Sequence, residues 1–152
     1  MIATIPYIEA KFDEFNKLIF GGELPRIPIV LGSATRVVGA FSCKVRRNFW
    51  GKKEYFDLKL RFSTKFDLPE NELEDVIIHE MIHYYIHFKN LKDKSAHGPL
   101  FKNLMNQINK NFGRKISIRH KGSSALRIHY VDYSILQPQL QEANKLSLKD
   151  IL

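Results

Sequence analysis

Val76-Ile77-Ile78-His79-Glu80-Met81-Ile82-His83-Tyr84-Tyr85-Ile86 is apolar on almost every side of a helical wheel except for two histidines and one glutamate. Residues four apart on a helix stand one above the other, so His79 and His83 can direct their imidazoles at one ion, about 2.0–2.1 Å from each. Glu80 lies on the neighbouring stripe, where its carboxylate reaches a metal-bound water without becoming a ligand. An HExxH pattern arises by chance only rarely in a chain with six histidines. A helix this apolar is expected to be buried, and a buried ionised carboxylate beside two imidazoles is costly unless something compensates it. A metal ion compensates it; three ordinary helix residues would not.

Outward from this segment, Pro69 and the acids Glu70, Glu72, Glu74 and Asp75 mark a helix start, and the pattern continues to about Phe88. Upstream, Ile8, Phe12, Phe15 and Ile19 recur at helical spacing between Tyr7 and Phe20, ahead of a Gly21-Gly22 stop. Three strands are expected next, over residues 27–31, 37–41 and 55–62, the last alternating with period two. After Gly98-Pro99, Leu100, Phe101, Leu104, Ile108 and Phe112 mark one face of another helix, closed by Gly113. Residues 116–118 and 126–131 flank Lys121-Gly122-Ser123-Ser124 and suggest a short hairpin or two edge strands, while the tail 134–152 stays unassigned. The expected class is α+β: an amino-terminal helix, a small, mostly antiparallel sheet, the HExxH helix and a following helix, in one domain over residues 1–152.

A metal held by two imidazoles needs a third protein ligand. His87 keeps the four-residue spacing but lies roughly 12 Å along the axis from His79, too far to share its ion, and reads as a partly exposed or outer residue. No glutamate occurs between Glu80 and Glu142, and the longer H-E-x-x-H-x-x-G-x-x-H pattern fails at Ile86 and Lys89. His97 remains, ahead of Gly98-Pro99, where the positive end of a helix dipole favours the neutral ring that a ligand needs. Its competing reading is a solvent-exposed turn residue. Water or substrate would take the fourth position, and imidazole ligands suit zinc, one ion per chain. Tyr84, Tyr85, His120, His129 and Tyr130 could each assist a developing oxyanion, and nothing in the pattern selects among them.

Composition sets the frame. The 152 residues are 44% hydrophobic and 26% charged, which is globular rather than disordered. A lone cysteine, Cys43, excludes an internal disulfide and points to a reducing compartment. With no basic leader followed by a long apolar run and no membrane span, the expectation is cytoplasmic. A net charge of +8 favours polyanionic partners. The segment Lys44-Val45-Arg46-Arg47-Asn48-Phe49-Trp50-Gly51-Lys52-Lys53 concentrates five cations around two aromatics in an expected inter-strand loop. Its cations would meet phosphates while Phe49 or Trp50 stacks on an unpaired base; alternatively it is a solvated hairpin with Trp50 folded back on the sheet. A second basic cluster, Lys110, Arg114, Lys115, Arg119 and Lys121, lies after the third expected helix.

His79-Glu80-Met81-Ile82-His83 followed by His97-Gly98-Pro99 and Phe101 resembles the SprT-like family, with similarity reaching upstream through the strand 58–63 and Pro69 to cover about residues 8–120. The resemblance implies a zincin-like metalloprotease domain with zinc on His79, His83 and His97 and Glu80 catalytic. It further implies hydrolysis of peptide bonds, in some members those of proteins crosslinked to DNA. Many members add a cysteine-rich zinc ribbon, which the single cysteine of this sequence does not permit. The expectation is therefore a zinc-dependent endopeptidase acting on protein substrates, with DNA as a candidate partner. Its rival is a non-proteolytic, zinc-stabilised nucleic-acid-binding adaptor. The pattern assigns no oligomeric state.

Overall fold

In the computed structural model, which describes residues 1–119, the first helix, α1, runs over Ile5–Ile19. Thr4 caps it by accepting a hydrogen bond from the Tyr7 amide, and Pro6 occupies the first turn, where a missing N–H costs nothing. Ile8, Phe12 and Phe15 form its buried face. Gly21 and Gly22 end it with φ of 68° and 73°, a region that glycine enters without strain. The side chain of Asn16 then clamps the departing chain at both the N–H and the C=O of Leu24.

Three strands follow: β1 (Ile29–Gly32), β2 (Gly39–Arg47) and β3 (Lys53–Ser63). The sheet order is β1-β3-β2, with β3 central, antiparallel to β2 and parallel to β1. The four parallel pairs run from Ile29↔Leu60 to Gly32↔Ser63, and the longer antiparallel ladder runs from Gly39↔Phe62 to Arg47↔Lys53. That ladder is longer than the sequence pattern implied. Residues 44–47 and 53, expected in a loop, are paired strand, because the hydrogen-bonded ladder continues where apolar alternation has stopped. An irregularity between Ser42 and Lys44, opposite Asp57 at φ 55°, divides the hairpin into a buried base and an exposed arm.

Pro69 precedes α2 (Glu70–Phe88), whose first turn carries Glu70 and Glu72. Leu73, Val76, Ile77, Ile78, Met81, Ile82 and Ile86 are buried, each contributing about 1.5–3 kcal/mol by leaving water. Tyr84 packs between Phe12 of α1 and Phe41 of β2, with ring centroids 6.4 and 5.5 Å away. Its hydroxyl donates to the Pro25 carbonyl at 2.8 Å, and burial pushes the phenol up to about 12. The last helix among the described residues, α3 (Pro99–Phe112), ends at Gly113 in the left-handed region. Residues 116–118 do not form a strand, since Asn109 takes both the N–H and the C=O of Ile116 with its side chain. Residues 126–131, with the hairpin expected there, lie outside the described residues.

Candidate metal centre

α2 buries His79, Glu80 and His83 along with its apolar residues. One turn of helix brings the two histidines together, as their spacing requires, with ring centroids 5.1 Å apart. The third member arrives from the loop ahead of α3. Nε2 of His97 lies 3.2 Å from Nε2 of His79 and 3.2 Å from Nε2 of His83. Ligands bonded at about 2.0–2.1 Å in a tetrahedron stand roughly 3.3 Å from one another, so these separations are close to the edges of such a polyhedron. Among the described residues, these three histidines form the one cluster of His, Cys, Asp or Glu able to hold an ion.

The donor set fits a metal for a further reason. Nδ1 of His79 lies 2.9 Å from the carbonyl oxygen of Ser117. A carbonyl only accepts, so Nδ1 carries the proton and Nε2 turns its lone pair inward. Phe101, fully buried in the first turn of α3, forms the apolar floor, with its ring 4.9, 4.5 and 4.8 Å from His79, His83 and His97. An apolar floor keeps the imidazoles in fixed orientations and lowers the local dielectric.

Glu80 stays out of the triangle. Its nearer carboxylate oxygen is 4.0 Å from Nε2 of His79, and the residue is 3% exposed. Gly39, the first residue of β2, lies against it: a methyl group at Gly39 would come within 3.1 Å of both Cγ of Glu80 and the Phe62 ring. A side chain here would crowd the carboxylate, so glycine lets the sheet edge approach the turn of α2 that carries Glu80.

Two positioning residues escaped the sequence analysis. Asp93 accepts from the amides of Phe101 at 2.8 Å and Leu100 at 3.3 Å, capping α3 in place of Gly98, which has no side chain to do so. The loop bearing His97 is thereby fastened at its helix end. The signal was an Asp upstream of a Gly-Pro helix start, but capping is read at the position just before the helix, and this cap acts from a distance. Asn109 is the second: by clamping Ile116 it sets the next residue, Ser117, whose carbonyl orients His79.

Other expectations fall differently. His87 is half-buried between Phe41 and Tyr55, 5.5 and 4.7 Å between rings, and is not part of the histidine cluster. The Tyr84 hydroxyl is committed to the Pro25 carbonyl, and the Tyr85 ring rests on Phe20. His120, His129 and Tyr130 lie outside the described residues, as does Lys121. Arg114 is no free basic contact: it bonds Asp75 at 2.7 Å, Glu74 and the Asn71 carbonyl, tying the segment after α3 to the start of α2. In the basic segment, Lys44 pairs with Asp57 and Arg46 with Glu54. Phe49 and Trp50 point into solvent, so Trp50 does not fold back on the sheet. Among the described residues no helix is long and apolar enough to cross a membrane.

Most of the chain is similar to known proteins. The model of the SprT-like family matches residues 8–121. The chain is 34% identical over 116 residues to the DNA-dependent metalloprotease SPRTN of Xenopus tropicalis, covering 76% of this chain and 26% of that protein. It is 30% identical over 121 residues to the human protein of that name, covering 79% and 24%. It is 29% identical over 126 residues to the DNA-dependent metalloprotease dvc-1 of Caenorhabditis elegans, covering 82% and 33%. It thus spans about a quarter to a third of the length of these relatives.

Proposed function

The chain belongs to the SprT-like family, and from that membership we propose that it is a zinc-dependent endopeptidase, with His79, His83 and His97 holding one zinc ion and Glu80 as general base. The observation that carries this reading is the triangle of three Nε2 atoms with a buried carboxylate beside it but outside it. Three protein ligands leave one position open, as a catalytic zinc site requires.

When bound, the zinc supplies an acidified water and polarises the scissile carbonyl. Glu80, buried in α2, takes the proton of the attacking water and returns it to the departing amine. Ser117 keeps His79 in the tautomer that presents Nε2, and Phe101 excludes water from the far side of the triad. Relatives named DNA-dependent metalloproteases support protein attached to DNA as the substrate class. A cytoplasmic, reducing setting suits the buried thiol of Cys43. A zinc-stabilised adaptor without proteolysis would have no use for an ionisable carboxylate buried at this point, and is the weaker reading.

The test pairs two variants. Glu80→Gln should keep one zinc per chain while cleavage of an unfolded protein falls by about a hundredfold or more; undiminished cleavage would remove Glu80 from the mechanism. His97→Ala should weaken zinc binding in a chelator competition, and an unchanged affinity would remove it from the ligand set.

A further inference from the structure

Beyond the bulge opposite Asp57 the β2–β3 hairpin leaves the core, and residues 44–57 form an arm with almost every side chain exposed. At its tip Phe49 is 93% and Trp50 79% exposed. Large aromatic side chains in water are unfavourable unless something covers them. The two rings meet edge to face at 5.3 Å on a turn that is itself well held. Asn48 accepts from the amide of Gly51 through its carbonyl, and from the amides of Trp50 and Lys52 through its side chain; Gly51 takes a φ of 76°. The rings are therefore presented by a prearranged turn, which reduces the ordering cost of any contact they make.

At the tip, residues 47–53, the charge has one sign. Lys44 and Arg46, further down the arm, are offset by Asp57 and Glu54 at 3.3 and 3.1 Å. Among the described residues the Arg47 guanidinium donates to the Gly51 carbonyl and to no carboxylate, and no carboxylate pairs with Lys52 or Lys53. Arg47 and Lys53 are register partners on the two strands, so uncompensated cations flank the aromatic pair on both sides. A nucleotide with an unpaired base has complementary parts in the same order: a flat face for a ring, with a phosphate on either side for the cations. A duplex hides its base faces, and a lipid surface offers no flat partner.

We propose that the arm is a contact for single-stranded nucleic acid, in which Trp50 and Phe49 stack on unpaired bases while Arg47, Lys52 and Lys53 meet the neighbouring phosphates. This deepens the peptidase reading, on which it rests for the substrate class. The same strand that begins at Gly39 against Glu80 ends at Arg47, about 25 Å away along β2. A bound strand would therefore hold DNA-attached protein within reach of the catalytic turn.

Trp50 is the one tryptophan of the chain, so its emission reports on the tip alone. The whole chain would be titrated with a fluorescently labelled oligothymidylate, a blunt duplex of equal length and anionic phospholipid vesicles, following Trp50 emission and the anisotropy of the labelled DNA. The single strand should quench Trp50 and bind at least tenfold more tightly than the duplex, with a log–log salt slope of about −2 for three phosphate contacts. Trp50→Ala should weaken binding measured by anisotropy about tenfold or more, and Lys52→Glu with Lys53→Glu should flatten the salt slope. Equal affinity for duplex, or an unchanged affinity in Trp50→Ala, would overturn the proposal. An emission change with vesicles and none with DNA would also overturn it, by assigning the arm to membranes. Binding is read without turnover, so failure here and failure of the peptidase reading are seen separately.

Discussion

Placing alanine at Gly98 tests the link between the cap of α3 and the metal site. The backbone at Gly98, φ −79° and ψ −168°, accepts any residue, so strain is not the issue. Space is: a Cβ there would stand 2.8 Å from Cγ of Asp93 and closer still to its carboxylate oxygen. The carboxylate must move away, and with it go the hydrogen bonds to the amides of Phe101 and Leu100. Loss of such a cap costs about 1–2 kcal/mol, and loss of a negative charge at a helix N-terminus about 0.3–1 kcal/mol more. Gly98→Ala should therefore destabilise by about 1.5–3 kcal/mol in urea unfolding of the metal-loaded protein, and Asp93→Ala by a similar amount. The two losses are the same loss, so the double variant should be little worse than either single one, a coupling of about 1.5–3 kcal/mol. Because His97 immediately precedes Gly98, each variant should also weaken zinc binding about ten- to a hundredfold. Simple additivity, or a Gly98→Ala protein with native stability and metal affinity, would refute the reasoning.

Asn109→Ala removes both bonds to Ile116 and frees the Ser117 carbonyl from His79; zinc affinity should fall about tenfold or more, read by chelator competition, with Asn109→Asp recovering at most half of the clamp. Gly39→Ala should lower kcat about ten- to a hundredfold at unchanged zinc stoichiometry, since the added methyl crowds Glu80 and not the ligands. Stripping the metal with a chelator should lower the unfolding midpoint in a scan, by an amount equivalent to about 4 kcal/mol when free zinc stood a thousandfold above its dissociation constant, and added zinc should restore it. Phe101→Ala should open the floor of the triad, costing about 3–5 kcal/mol in stability together with metal affinity.

Short-range spacing carried the metal helix almost unaided: four residues from His79 to His83 is one turn, and no tertiary contact is needed to put the rings on one side. The stops at Gly21-Gly22 and Gly113 and the starts near Pro69 and Pro99 were legible for the same reason, since glycine and proline act on their own backbone. The outer part of the hairpin arm was not legible, because residues 44–47 and 53–54 earn their strand structure from pairing with each other rather than from burial, and exposed pairing leaves no hydrophobic period to read. His97 could be singled out in the sequence by elimination, but its approach to 3.2 Å depends on Asp93 holding α3 and on Phe101 filling the floor. The Ser117 carbonyl, the Asn109 clamp and the closeness of Gly39 to Glu80 are backbone and steric facts between segments far apart in the chain. Backbone groups are the same in every residue and carry no sequence signature, so folding alone decides which of them meets the site.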